Sequence, residues 1–149
     1  MRAVIQRVHQ CAVRVGGELC GQIDRGLLVY LGIKGTDTLQ DLEYLAEKIV
    51  HLRVFQDEQG KMNLSALDVG AEVMVVSQFT LYGDARRGRR PSYSEAADGE
   101  KAQGYYALMI ERLRRQGLKV EQGRFAARME VQYTNIGPVT LLLDSEKLF

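Results

Sequence analysis

The sequence has little of what most catalytic centres are assembled from. Among its 149 residues are two histidines, His9 and His51, and two cysteines, Cys11 and Cys20. His9 falls on the first strand-like run and His51 at the end of a helical one, with neither HxxxH spacing nor a cysteine cluster. That pattern speaks against a zinc centre and leaves each histidine a hydrogen-bonded structural residue, so no metal is expected. Nor is there a GxSxG elbow, a serine with a credible histidine and acid, or a glycine loop ending in GK[ST]. No cofactor is expected.

Other absences bound the setting. No apolar run approaches the ~20 residues that span a bilayer. The opening MRAVIQRVHQ alternates where a signal peptide carries an apolar stretch of roughly 7 to 15 residues. A cytoplasmic protein with no membrane partner is expected. The cysteines lack CxxC spacing and lie on what read as adjacent strands, which in a reducing compartment makes two buried thiols, not a disulfide. A net charge of +1 is too small for a protein that coats long nucleic acid, though contact with one RNA end stays open.

What is present is a 46% hydrophobic, 26% charged chain suited to one domain over residues 1–149. Residues 2–15 alternate like a strand, with an irregularity near 9–11, and Gly16 and Gly17 turn them into a second strand at 18–23. Residues 26–33 (GLLVYLGI) and 72–81 (EVMVVSQFTL) are almost continuously apolar and read as central strands covered on both faces. Helical spacing at Leu39, Leu42, Leu45, Ala46 and Ile49, with Thr38 and Asp41 in capping-box relation, predicts a helix over 38–52. Ser92 and Glu95 suggest a second capping box, opening a helix whose face is Ala102, Tyr105, Tyr106, Met109 and Leu113 and which stops at Gly117. Residues 119–125, 129–134 and 139–143 read as strands. The expected fold is α+β: a mostly antiparallel, strongly curved, barrel-like sheet with two packed helices, and not a parallel doubly wound one.

Two stretches carry chemistry. Ser77, Gln78, Phe79 and Thr80 form a polar cluster closing a buried strand, either a site or simply the strand's terminal hydrogen bonds. ARRGRRP, residues 85–91, puts four arginines into five positions; arginine forks suit phosphate oxygens, and a solvated charged loop is the plain alternative. Half of the chain's prolines are spent on a Gly-Pro pair, Gly137 and Pro138, between two strand-like runs.

SQFTL at 77–81 and GPVT at 137–140, with QRV at 6–8, GLLVYLG at 26–32 and RRGRRPS at 86–92 in the expected order, resemble D-aminoacyl-tRNA deacylase along nearly the whole chain. The resemblance implies a homodimer that hydrolyses the ester joining a D-amino acid, or glycine, to the terminal adenosine of tRNA, the acceptor 3′ end being its partner. It implies a cis Gly137-Pro138 peptide inserted into the other subunit's pocket, whose carbonyls hold the substrate amino group and exclude an L side chain. Ser77, Gln78, Phe79 and Thr80 would line that pocket, with Phe79 near the adenosine and Thr80 a nucleophile unless the ribose 2′-OH assists. Val139 and Thr140 complete the motif, Arg7 would tether the partner's loop, and Met129 would face the adenine. Ile136 stands where the family usually has an acid, which affects side-chain contacts and not the carbonyls. A dimeric nucleic-acid-binding module, or a related deacylase of relaxed chirality, remain the other readings.

Overall fold

Gly16 and Gly17, both at positive φ (56° and 85°), turn strand β1, Arg2–Val15, back into β2, Glu18–Gly32. In the computed structural model, which describes residues 1–149, there follow α1 (Leu39–His51), a small hairpin of β3 (Phe55–Gln56) and β4 (Met62–Leu64), and β5 (Glu72–Ser77). A 3-10 turn (Phe79–Tyr82), α2 (Gly99–Arg115), β6 (Lys119–Gln122) and β7 (Glu130–Asp144) complete the chain. The irregularity expected in β1 is present: Gln10 has φ 52°, and the register with β7 shifts between His9 and Ala12.

Five strands form one sheet in the order β6-β5-β2-β1-β7. This corrects the expected pairing. β1 is antiparallel to β2 and β7, but β2/β5 and β5/β6 are parallel ladders, so the sheet is mixed. Parallel neighbours need a long crossover, and α1 with the hairpin, then α2, are those crossovers. The sheet is also open, with β6 and β7 as edges, and not a closed barrel. It is nonetheless strongly curled: β5 and β7 are three strand spacings apart, about 14 Å if flat, yet Val76 and Val131 line the same cavity.

Burial explains the continuous apolar runs. Leu27, Val29, Leu31, Val73 and Val75 face the helices, joining Leu42, Leu45, Ile49, Met109 and Leu113 in the main core. Leu28, Met74 and Val76 face the opposite side, with Val8, Cys11, Val13 and Ile23. The parallel β2/β5 ladder begins where Gly26 meets Glu72, and a β-carbon on Gly26 would sit 1.8 Å from the Glu72 carbonyl oxygen, so only glycine lets these backbones approach.

Helix α1 starts as expected: the Thr38 N–H and hydroxyl both donate to the Asp41 carboxylate, at 2.7 and 2.8 Å. Helix α2 does not. Ser92 spends its backbone N–H and carbonyl on Asp84, and the helix is capped by Asp98, which accepts from the Lys101 N–H at 2.8 Å. The expected break in β2 is absent. The strand expected over 72–81 ends at Ser77 and winds into the 3-10 turn, and the last two expected strands are one strand, β7.

Candidate active site

Where β5 runs out, the Gln78 N–H donates to the Leu31 carbonyl at 2.8 Å, extending the ladder one residue before the chain winds into the 3-10 turn. This fixes one wall of a cavity of about 540 Å³, made by Leu31, Val76, Ser77, Gln78 and Phe79. The opposite wall is Phe125, Ala126 and Ala127 with Met129 and Val131, and Ala97, just before α2, and Ala102, in its first turn, complete the lining. Tyr106 packs against Phe125 of that wall, with ring centroids 5.9 Å apart. Burial pushes its phenol well above the ordinary value, and the hydroxyl donates to the Val75 carbonyl at 2.8 Å.

The cavity is mostly apolar, and no histidine, carboxylate, lysine or cysteine lines it. His9 pairs with Asp24 and His51 with Glu47, each at 3.2 Å and both elsewhere. Phe79 is 58% exposed at the mouth, edge-on to Tyr93 with ring centroids 5.1 Å apart. Thr80 is exposed just outside, its hydroxyl accepting a short bond from the Gln78 side-chain amide. Thus Ser77, Gln78, Phe79 and Met129 are brought together in the cavity, with Thr80 at its rim.

The Gly-Pro residues are not in this cavity. They form a bulge in β7: Gln6 pairs with Thr140 and Val8 with Asn135, so Arg7 alone stands opposite residues 136–139. The Gly137-Pro138 peptide is cis, and both residues are exposed. Asn135 and Thr140 close the neck. The Asn135 amide donates to Thr140 Oγ1 at 3.1 Å, its oxygen accepts from the Val139 N–H at 3.2 Å, and Gln6 also donates to Thr140 Oγ1.

Arg7 is buried and engaged by the bulge of its own chain. Its Nε donates to the Ile136 carbonyl at 3.2 Å and its Nη1 to the Val54 carbonyl at 2.5 Å. At position 136 the carbonyl is what Arg7 uses, while the isoleucine side chain is 41% exposed. Sequence reasoning missed Asn135, Tyr93 and the 125–127 wall. Ala126 there has φ 58°, a left-handed backbone that an Ala-Ala pair does not signal.

The chain thus joins an edge-strand bulge that presents a glycine and a cis-proline outward to an apolar cavity walled by Ser77, Gln78 and Phe79, where β5 passes into the 3-10 turn. Residues 4–144 match the family described as D-Tyr-tRNA(Tyr) deacylase. A D-aminoacyl-tRNA deacylase from Fervidobacterium nodosum is 56% identical over 149 residues, covering both chains completely. Among solved structures, one titled c-Myc DNA Unwinding Element Binding Protein superposes with TM-score 0.91 at 42% identity, covering 97% of this chain and 98% of the other. A probable eukaryotic D-amino acid tRNA deacylase shares the fold, with TM-score 0.82 at 16% identity over 95% and 97% of the two chains. The chain belongs to the D-Tyr-tRNA(Tyr) deacylase family.

Proposed function

We propose that this protein hydrolyses the ester between a D-amino acid, or glycine, and the 3′-terminal adenosine of tRNA, with the Gly137-Pro138 bulge of a second copy completing the pocket. Water adds to the ester carbonyl, the bond to the ribose oxygen breaks, and the products are the free amino acid and tRNA with its terminal hydroxyl restored. The observation that carries the reading is the cavity's lack of a general base. An aminoacyl ester is already activated, and an enzyme that holds it beside its own ribose 2′-OH needs mainly position and charge stabilisation. The backbone N–H groups of Phe79 and Thr80 open the 3-10 turn and have no acceptor within it, and in this reading they would donate to a developing oxyanion. Thr80 has no partner able to take its proton, which favours assistance by the substrate over a threonine nucleophile.

Stereoselection follows from backbone. Carbonyls beside Gly137 and Pro138 would accept from the substrate ammonium and leave no space where an L side chain points, while glycine carries nothing to reject. Two features support a second copy: the bulge stands outside its own chain's cavity, and β7 is a 15-residue edge strand paired on one side only, with Leu142 56% exposed. The test is deacylation of D-tyrosyl-, L-tyrosyl- and glycyl-tRNA side by side, with a D-tyrosyl-tRNA ending in 2′-deoxyadenosine as a fourth substrate. Only the first and third are expected to clear. Clearance of the L form removes the chiral reading, and clearance of the deoxy form removes the role of the 2′-OH.

A further inference from the structure

We propose that the arginine loop and Tyr93 form a second subsite, outside the catalytic cavity, that binds the single-stranded nucleotides preceding the terminal adenosine. This deepens the function proposed above and rests on it for the identity of the RNA. The loop is built, not slack. Asp84 and Ser92 exchange both backbone hydrogen bonds, at 2.7 and 2.9 Å, and close residues 85–91 into a hairpin tip. Asp84 then takes Arg86, accepting from its Nη2 at 2.7 Å and its Nε at 2.8 Å.

That pairing leaves Arg87, Arg89 and Arg90 exposed, and none of the chain's ten ion pairs includes them. Four arginines against Asp84 and Glu95 leave +2 within residues 84–95, in a chain whose net charge is +1, so the rest of the molecule sums to −1. The loop is therefore more positive than the rest of the molecule taken together.

The loop's base joins the cavity mouth. A β-carbon at Gly83 would lie 3.0 Å from both the Thr80 carbonyl and Tyr93 Cε1, and 3.6 Å from Pro91 Cβ, so the 3-10 turn, Tyr93 and the end of the loop all close on Gly83. Tyr93, 38% exposed, stands edge-on to the exposed Phe79. A solvent-facing aromatic pair beside unpaired guanidinium groups is the combination that binds single-stranded nucleic acid, rings taking bases and arginines taking phosphates. An acidic protein surface would use the charge but not the rings, and a duplex would hide its base faces. A chain emerging from the terminal adenosine near Phe79 meets the rings first and the arginines next.

The experiment compares the wild-type protein with R87A/R89A/R90A and R87K/R89K/R90K on two substrates, D-tyrosyl-tRNA and the D-tyrosyl ester of adenosine alone. On tRNA the alanine variant should show KM raised at least tenfold, and a log–log salt dependence flattened by about 2, from roughly 0.7 per lost single-strand phosphate contact. The lysine variant should keep the salt dependence, and all three proteins should hydrolyse the short ester alike. Tyr93→Leu should weaken binding of a single-stranded oligoribonucleotide roughly tenfold, with the salt slope unchanged. An unchanged KM and slope on tRNA overturns the proposal, as does equal loss on both substrates. Tighter competition by duplex DNA or an acidic polypeptide than by the oligoribonucleotide overturns it too. If the wild type hydrolyses neither substrate, the proposed function fails by itself, and oligoribonucleotide binding by the wild type against the alanine variant still decides the subsite.

Discussion

Asn135 reaches across the neck of the β7 bulge to Thr140, its amide donating to the hydroxyl at 3.1 Å, while its oxygen accepts from the Val139 N–H. One side chain thereby fixes both ends of the segment that carries Gly137 and Pro138. Asn135→Ala should cost about 1 kcal/mol, lowering Tm by roughly 2–4 °C, yet reduce D-aminoacyl-tRNA turnover far more than that. Thermal unfolding beside single-turnover deacylation checks this; stability loss with normal turnover would show that the neck does not position the bulge.

Gly137 has φ 120°, where only glycine is unstrained, and a β-carbon there would sit 2.7 Å from Arg7 Nη2 and 3.0 Å from Val139 Cγ2. Gly137→Ala should therefore displace the guanidinium that holds the Ile136 carbonyl and abolish deacylation while unfolding stays cooperative. Arg7→Ala should act in the same direction, through loss of charge-assisted bonds worth roughly 1.5–3 kcal/mol. Intact turnover in both variants would reduce the Gly-Pro segment to a bend.

The two thiols should differ. Cys11 is fully buried and its thiol is pushed up to about 11 by burial, whereas Cys20 is partly exposed, contrary to the expectation of two buried thiols. Iodoacetamide at pH 8 should label Cys20 alone in the native protein and Cys11 only after denaturation. Equal native labelling rates would contradict the packing around Cys11.

Asp41 sets an acid limit for α1. Burial opposes its ionisation but is outweighed by the Thr38 N–H, the Ser145 and Thr38 hydroxyls and the amino terminus, which hold the carboxyl down at about 2. A lowered carboxyl contributes stability that is complete above its unfolded value of about 4 and is lost as the pH falls toward 2. Urea midpoints measured over that interval should fall more steeply for the wild type than for Asp41→Asn, and parallel curves would remove Asp41 from the account.

The parts legible in the sequence are those where one local cause dominates. Burial on both faces wrote 26–33 and 72–77 as continuous apolar runs, and the Thr38–Asp41 exchange marked the start of α1. Pairing direction was hidden, because two helices separated by a short hairpin and a charged loop do not announce themselves as crossovers. Pro138 suggested a break between strands, but an edge strand tolerates a proline in a bulge, so β7 runs through it. Ser77, Gln78, Phe79 and Met129 were readable and the small lining residues were not, since Ala97, Ala126 and Ala127 matter only for being small and in the right place.

The separation of bulge and cavity within one chain has a genetic consequence on the two-copy reading. A chain damaged at Gly137 still offers a sound cavity, and a chain damaged at Phe79 still offers a sound bulge, so the two lesions belong to different complementation groups of one gene. Refolded together in equal amounts, two inactive proteins should regain roughly a quarter of the wild-type sites, because half of randomly mixed pairs are hybrids with one correctly completed cavity each. An intact copy paired with a Gly137-damaged one keeps a working bulge for its neighbour's cavity, and the mutant allele halves the output of a mixed pair without poisoning it.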